Sequence, residues 1–363
     1  MTFKIAVYTI ALNEEKHVER WYESCKDADY LVIADTGSTD KTVEIARSLG
    51  ITVHQIYISP FRFDDARNAS LALLPTDVDY CIALDMDEEL SPGWREALEK
   101  IDISIDRPSY RRIEAFNEDG SPNLEFDGFK IHKRKGIRWH YPIHEVPQWY
   151  IEDREEVKGR VEGLEIHHRQ DKAKSRAQYL EMLELAVREN PDARNSYYLG
   201  REYYYYKRYD EAAKMLKSYL TISVFPEERS AACRTLSACE PKMAEEWLMK
   251  GIEEHSSRES ILALANHYYQ TKQWDECLLV SKQALEYSVR PMSFLSENWA
   301  WGHMADDLIA VSSWQLGDYK TALEHGLKAG RISPDDERLQ SNIQFYRSKI
   351  DANTESADVR GAD

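Results

Sequence analysis

Between Ile5 and Leu84 the chain alternates short apolar runs with segments of helical spacing, and few folds accept that pattern. Ile5-Ala-Val-Tyr8 reads as a first buried strand. Glu14 to Ser24 places Val18, Trp21 and Tyr22 at helical spacing, and Leu31-Val-Ile-Ala34 reads as a second strand. Ser38, Thr39 and Asp40 can cap the next helix, whose Val43, Ala46 and Leu49 share one face and which stops at Gly50. Ile51 to Tyr57 is a third strand and Tyr80-Cys-Ile-Ala-Leu84 a fourth. Short apolar strands alternating with helices imply βαβ units and an α/β, Rossmann-like domain with a mostly parallel sheet. Right-handed crossovers then bring the loops after the strands to one edge of that sheet.

Polar clusters stand at those strand ends. Leu84-Asp85-Met86-Asp87-Glu88-Glu89 runs an apolar strand straight into two carboxylates, a D-x-D pattern. Such oxygens can hold a divalent cation that bridges a diphosphate and offsets the charge of a departing nucleoside diphosphate. Alone the pattern is weak, because acidic pairs are common on loops. The first strand leads to Thr9-Ile-Ala-Leu-Asn13-Glu14-Glu15, the second to Asp35-Thr-Gly-Ser-Thr-Asp40, and the third, through a loop, to Arg67-Asn68. Asp35 can accept from a base N–H or a ribose hydroxyl, and Asp40 reads as a cap. Arg67 can pair with phosphate or orient Asp85, or be an ordinary surface arginine. Several polar strand ends meeting at one crevice weigh more than any single motif.

With these residues in view, the sequence resembles glycosyltransferase family 2, on Asn13-Glu14, Asp35-x-Gly-Ser-x-Asp40, Ala66-Arg67-Asn68 and Asp85-x-Asp87. The resemblance covers roughly the first 170 residues and is nearest to bacterial and phage members with a tetratricopeptide tail; it extends to peptide-modifying enzymes of the SunS type. It implies a GT-A fold, a UDP-sugar donor (hexose or N-acetylhexosamine), inversion by single displacement, and a divalent metal, Mn²⁺ or Mg²⁺. It implies donor contacts from Thr9, Asn13, Glu14, Asp35, Arg67, Asn68 and Asp85, with Asp87 on the metal. Trp139-His-Tyr-Pro-Ile-His144-Glu145 is similar to the W-x-x-x-I-H-E segment of these members. His144 becomes a further metal ligand and Glu145 a candidate base, with Glu88 and Glu89 as rivals; both could instead order a loop. His167, in Leu164-Glu-Ile-His167-His168, reads as a packed residue at the domain boundary.

Between about residues 108 and 168, turn signals separate short strand-like segments, and antiparallel strands are expected to complete a first domain, 1–170. From about Ser175 the chain is helical and repetitive, so 171–350 reads as an all-α tetratricopeptide-like domain and 351–363 as a disordered tail. The small residue packed between the helices of each unit is placed at Ala212, Ala244, Cys277 and Ala322, at intervals of 32, 33 and 45 residues. The long interval implies an insertion near Val289 to Gly302. Trp247, Trp274 and Trp314 are expected in the core, and Tyr197, Tyr198 and Tyr203 to Tyr206 partly so.

Composition narrows the rest. No apolar run approaches the roughly 20 residues that span a bilayer, and the N-terminus is too quickly polar for a signal peptide. The five cysteines contain no C-x-x-C pair, which fits reduced thiols and a cytoplasmic setting. A net charge of −17 disfavours a broad nucleic-acid-binding face. The one basic stretch, Lys130, His132, Lys133, Arg134, Lys135 and Arg138, reads as a solvated hairpin around Gly136, or as a clamp on an anion. Arg138-Trp139 lacks the glutamine of the Q-x-x-R-W motif of processive synthases, and there is no P-loop or glycine-rich loop after the first strand. The acceptor stays open among a protein or peptide held by the repeats, a saccharide and a modified nucleobase, and the repeats could serve a homodimer. The rival reading is an inactive tetratricopeptide adaptor with a nucleotide-sugar-binding domain.

Overall fold

The computed structural model describes residues 2–170 and 179–360. It divides into two compact units, Met1–Glu189 with Met292–Phe294, and Asn190–Pro291 with Leu295–Asp363. The expected start of the helical part near Ser175 falls within 171–178, outside the described residues; the helix that follows them belongs to the first unit.

The first unit runs β1 (Ile5–Ala11), α1 (Val18–Cys25), β2 (Tyr30–Asp35), α2 (Thr42–Ser48), β3 (Thr52–Gln55), α3 (Phe63–Ala72), β4 (Tyr80–Ala83), β5 (Glu88–Leu90), α4 (Trp94–Leu98), β6 (Arg107–Phe116), β7 (Pro122–Gly128), β8 (Ile131–Lys133), β9 (Ile137–His140), β10 (Val146–Trp149), β11 (Lys158–His168) and α5 (Tyr179–Glu189). The main sheet has the order β3-β2-β1-β4-β8, with the first four strands parallel and β8 antiparallel to β4. β1 is central and buried along nearly its whole length, as a parallel strand covered on both faces must be. Trp21 of α1 is fully buried and its Nε1 donates to the Leu84 carbonyl at 3.0 Å, which fixes the helix over the end of β4.

Helix α1 begins later than the apolar spacing predicts. Asn13 takes a left-handed backbone (φ 56°), and the Glu14 and Glu15 amides donate to Thr42 Oγ1 (2.7 Å) and Asp40 Oδ2 (3.1 Å). Those donors are spent between loops before the helix starts. The region from 108 to 168 is strand and loop, with one correction to the antiparallel expectation. A second sheet, β5-β11-β6-β7, pairs β11 with β6 in parallel, while β5–β11 and β6–β7 are antiparallel. The hairpin β9–β10 stands apart as a two-stranded ribbon.

The second unit is built of helical hairpins: α6 (Ala193–Tyr205) with α7 (Tyr209–Ile222), α8 (Pro226–Cys239) with α9 (Ala244–Glu254), α10 (Arg258–Gln270) with α11 (Trp274–Ala284), and α13 (Met304–Gln315) with α14 (Tyr319–Ile332). The short α12 (Asn298–Trp301) lies in the expected insertion, and α15 (Glu337–Arg360) packs on α14. The backbone is therefore helical through residue 360, where the sequence alone reads as a disordered tail; 361–363 lie outside the described residues.

Three hairpins share one turn. A left-handed residue (Lys207, Lys272, Gly317) precedes an amide that reaches back five residues: Arg208 to Tyr203, Gln273 to Tyr268 and Asp318 to Ser313, at 2.8, 2.9 and 2.9 Å. In the remaining hairpin Pro241 starts a 3₁₀ turn instead (Pro241–Met243). Counted from the start of each second helix, Ala212, Cys277 and Ala322 are equivalent and fully buried. Ala244 opens its helix and is half-buried, so the position three residues in is Trp247, a correction to the repeat register. Gly200 lets the paired helices approach: a Cβ there would meet the Leu216 side chain at 2.7 Å. Trp314 is half-buried and stacks on Tyr319 (4.6 Å) and Phe345 (4.5 Å).

Candidate active site

The loops after β1, β2 and β4 gather at one edge of the main sheet because those strands are parallel neighbours. Asp35 ends β2 fully buried, and its carboxylate accepts from the Gly37 and Ser38 amides at 3.2 Å. Gly37 sits at φ 116°, a backbone that returns its N–H to Asp35 and that L side chains rarely adopt. Asn13 Oδ1 accepts from the Thr39 amide at 2.8 Å, and the Asn13 amide donates to Ser38 Oγ at 2.9 Å. Asp40 accepts from Thr42 N at 2.9 Å, while Ser38 serves Asn13 rather than the helix. Thr9 is buried and its carbonyl accepts from Ser70 Oγ at 3.2 Å. The sequence cluster thus has a concrete meaning: Asn13, Glu14 and Asp40 lace the first two loops together around Asp35.

At the end of β4 a chain of charges begins. Asp85 accepts from Arg67 of α3 through one oxygen and from Lys130 Nζ (2.5 Å) through the other. Burial alone would raise its pKa; the two cations outweigh it and hold the carboxyl well below the usual range. Arg67 is buried, also donates through Nε to Glu145 Oε1 (3.0 Å), and lies 5.4 Å from the Trp139 ring centroid. Lys130 continues to Glu88 Oε1 at 3.2 Å, and the fully buried Glu88 receives Arg112 on that oxygen and the Asp85 amide (2.9 Å) on the other. Arg112 Nε donates to Glu114 Oε2 at 2.7 Å, and His168 Nδ1 meets Glu114 Oε1 at 3.0 Å. His168 Nε2 lies 3.7 Å from Asp87 Oδ2.

Register explains why His168 arrives there. β5 starts immediately after Asp87, and antiparallel pairing sets His168 opposite Glu88, while the Arg169 amide donates to the Asp87 carbonyl at 2.7 Å. Burial works against charge on His168, yet Asp87 and Glu114 hold its pKa up to about 9. Glu114 is drawn down to about 2 by His168 and Arg112 against the opposing effect of burial.

The stretch around Trp139 shapes this site from below. Trp139 Nε1 donates to Tyr8 Oη at 2.8 Å, Tyr8 Oη is 2.9 Å from His132 Nε2, and His132 Nδ1 is 2.7 Å from the Lys133 carbonyl. A carbonyl can only accept, so the imidazole proton sits on Nδ1 and Nε2 accepts a hydrogen bond from the tyrosine hydroxyl. All three side chains are buried, and burial pushes His132 down to about 4. Asn68 clamps the same strand, donating to the Trp139 carbonyl and accepting its amide, both at 2.9 Å. The β9–β10 loop carries two non-glycine residues in the left-handed region, Tyr141 (φ 80°) and His144 (φ 53°). His144 packs edge-on to Tyr179 at 6.3 Å.

The basic stretch does not act as one patch. Lys130 enters the charge chain, His132 lies in the core, Lys133 covers the Tyr80 ring at 4.2 Å, and Arg134 donates to the Leu74 carbonyl at 3.3 Å. His167 turns the other way, to Glu165 (2.9 Å) and Phe116. Glu89 is ion-paired with Arg20 at 2.7 Å and Arg169 at 3.3 Å. Sequence reasoning missed Arg112, Glu114 and His168 as site residues and named Lys130 only within the basic stretch. Arg112-x-Glu114 carried a signal, two opposite charges on the same face of a strand. No three His, Cys, Asp or Glu side chains converge as a ready-made metal cage among the described residues.

Known proteins bear on this geometry. Residues 6–105 match the model of the family described as Glycosyl transferase family 2. An uncharacterized glycosyltransferase of Rickettsia bellii (strain RML369-C) is 34% identical over 111 residues, 30% of this chain and 36% of its own. A second, RT0209 of Rickettsia typhi (strain ATCC VR-144 / Wilmington), is 32% identical over 108 residues, again 30% and 36%. The chain thus matches about a third of the length of these curated relatives. Among solved structures, YrrB, a TPR protein with an unusual peptide-binding site, is 19% identical over 45% of this chain and 81% of its own, with a TM-score of 0.36. At that score the likeness carries no argument, and the helical hairpins rest on their own geometry. The N-terminal α/β unit of this chain carries a glycosyl transferase family 2 domain, and an all-α unit of helical hairpins follows it.

Proposed function

We propose that this protein is an inverting glycosyltransferase that moves a sugar from a UDP-sugar to an acceptor, with a divalent cation at Asp87. The observation that carries the reading is the pair of carboxylates after β4, each set against cationic side chains from a different part of the fold. Asp85 is neutralised by Arg67 and Lys130, and Asp87 faces an imidazole. Asp85 and Asp35, fixed at the ends of β4 and β2 on either side of β1, are suited to accept from ribose and base.

The chemistry of Asp87 and His168 fits a cation such as Mn²⁺ or Mg²⁺. One carboxylate and one imidazole are enough protein ligands for an ion that completes its shell with diphosphate oxygens and water. His168 joins His144 as a candidate imidazole ligand: Glu114 orients its Nδ1, and its Nε2, protonated while the pKa is held up to about 9, would release that proton on binding the ion. When bound, the ion would stabilise the negative charge on the leaving diphosphate. Glu145 has one oxygen on Arg67 and no partner on the other among the described residues, so it remains the candidate to receive the acceptor proton. Asn68, with both amide ends on Trp139, is assigned a positioning role. Hexose or N-acetylhexosamine is the proposed donor sugar.

UDP release from a panel of UDP-sugars, measured with Mn²⁺, with Mg²⁺ and with EDTA, tests the proposal. Metal-dependent hydrolysis of one donor is expected, and Asp87→Asn should lower it at least a hundredfold, since a neutral amide is a poor ligand for a hard cation. Wild-type turnover in that variant would remove Asp87 from the metal site. Absence of both donor binding and release would favour the adaptor reading.

A further inference from the structure

Glu145 stands at the end of a row of aromatic rings, most of which the donor reading leaves unused. Phe61 precedes α3, Phe63 opens it, Tyr179 opens α5, and His144 adjoins Glu145 in the β9–β10 loop; all of these rings are half-buried. Each meets the next edge-on: Phe61 and Phe63 at 5.1 Å, Phe63 and Tyr179 at 6.4 Å, Tyr179 and His144 at 6.3 Å, with interplanar angles of 82°, 85° and 81°. An edge-on contact covers at most one face of a ring, so half-burial leaves aromatic surface along the row for a ligand.

The row is held from both sides. The Phe63 amide donates to the Pro142 carbonyl at 2.9 Å, and Arg62 reaches Glu189 at the end of α5 at 2.5 Å. Tyr141 and His144 flank Pro142-Ile143 with left-handed backbone, at φ 80° and 53°. Strain of that kind persists where the surroundings fix it, and it gathers at ligand clamps. The two arginines bordering the row are spent on carboxylates: Arg62 on Asp64 and Glu189, Arg67 on Asp85 and Glu145. Neither is left for a nucleic-acid phosphate or an acidic chain. Aromatic surface beside spent charges suits a neutral ligand with a C–H face, which a sugar ring has and a serine or threonine peptide lacks.

We propose that this row is the acceptor subsite and that the acceptor is a neutral saccharide, stacked on Phe61 and Phe63 with one hydroxyl directed to Glu145. Glu145 and Asp85 share Arg67, so the hydroxyl arrives within one guanidinium of the carboxylate assigned to the donor. Its oxygen bonds to the anomeric carbon as the bond from that carbon to the diphosphate breaks, and its proton passes to Glu145. The inference rests on the glycosyl-transfer reading for the step, but saccharide binding is measured apart from it.

The full chain, without donor or metal, is titrated with cellotetraose, maltotetraose and N-acetylchitotetraose. A neutral Gly/Ser/Thr peptide and hydroxymethyluridine stand for the other acceptor classes. Contact is read by NMR as saturation transferred from the protein's aromatic protons. At least one tetrasaccharide should take up saturation on its ring C–H protons. Phe61→Leu, which keeps apolar bulk and removes the ring, should weaken its binding by about fivefold or more. Should Phe61→Leu lose its fold, Phe61→Met carries the same decision. Tyr57→Ala removes an exposed ring outside the row and should leave the affinity unchanged. The proposal is overturned if no tetrasaccharide binds, if removing the Phe61 ring changes nothing, if Tyr57→Ala costs as much, or if only the peptide or the nucleoside takes up saturation. UDP release, measured separately, decides the glycosyl-transfer reading, so either can fail without the other.

Discussion

Replacing His132 by glutamine tests the buried Trp139–Tyr8–His132 relay through its pH dependence. The imidazole has a folded pKa of about 4 against an ordinary 6.5, because burial disfavours its charge. As pH falls, the unfolded chain takes up this proton first, so the contribution is fully present above pH 6.5. It is lost as pH falls from 6.5 through 4, and the loss is complete below 4. At about 1.4 kcal/mol per pH unit the full loss is about 3 kcal/mol, of which about 2 is gone by pH 5. At neutral pH the glutamine amide does not reproduce both imidazole contacts, to the Tyr8 hydroxyl and to the Lys133 carbonyl, and the substitution costs about 1–3 kcal/mol. It also removes the titrating group. Urea denaturation at pH 7.5, 6.5, 5.5 and 5.0, read on the transition that the substitution shifts, should show the variant less stable at pH 7.5 and converging with wild type by pH 5. Parallel curves across that range would refute the buried neutral imidazole, since both chains would then bind the same number of protons on unfolding.

Two further outcomes follow from charge and packing. Lys130→Met removes the cation shared by Asp85 and Glu88, leaving each with one arginine; loss of one member of a buried pair costs 3–5 kcal/mol, and partial exposure of Lys130 and Asp85 brings the expectation to about 2 kcal/mol. The same cost should persist in 0.5 M NaCl by urea denaturation, and a value under about 0.5 kcal/mol would make the contact an ordinary surface pair. Gly200→Ala forces a Cβ to 2.7 Å from Leu216 and should destabilise the first hairpin by about 1–3 kcal/mol, seen as a lower melting temperature of the helical unit; a neutral change would mean that α6 and α7 can separate freely.

Much of the fold was legible because it rests on local periodicity. β1, β2 and β4 lie where apolar runs predict them, since a strand buried on both faces has to be apolar throughout. Residues 14–17 could not be read as a turn, because what removes them from α1 is a contact across sequence with Thr42 and Asp40. The site was legible where a strand ends in a carboxylate, at Asp35 and Asp85. It was hidden where its partners come from β6, β8 and β11, whose register with β4 and β5 no local pattern encodes. His144 and His168 illustrate the difference. Both are histidines near the end of the first unit, and only the pairing of β11 with β5 decides which one stands beside Asp87.

That pairing also joins two parts of the site that a motif treats as one. Asp85 and Asp87 are two residues apart in sequence, but different parts of the fold supply their partners. Asp85 depends on α3 and on Lys130, which leads into β8; Asp87 depends on the last turn of β11. Glu88 and Arg112 bridge these halves: Glu88 accepts the Asp85 amide and the Arg112 side chain, and Arg112 reaches Glu114, which orients His168. A carboxylate as deeply buried as Glu88 is expensive to keep unless every neighbour compensates it. Here Arg112, Lys130 and the Asp85 amide compensate it, so Glu88 joins the Asp85 end of the charge chain to the His168 end through direct contacts. The spacing of the two acidic residues is therefore the least informative part of the arrangement. The strand that brings His168 and the buried pair that fixes it decide what the two carboxylates can do.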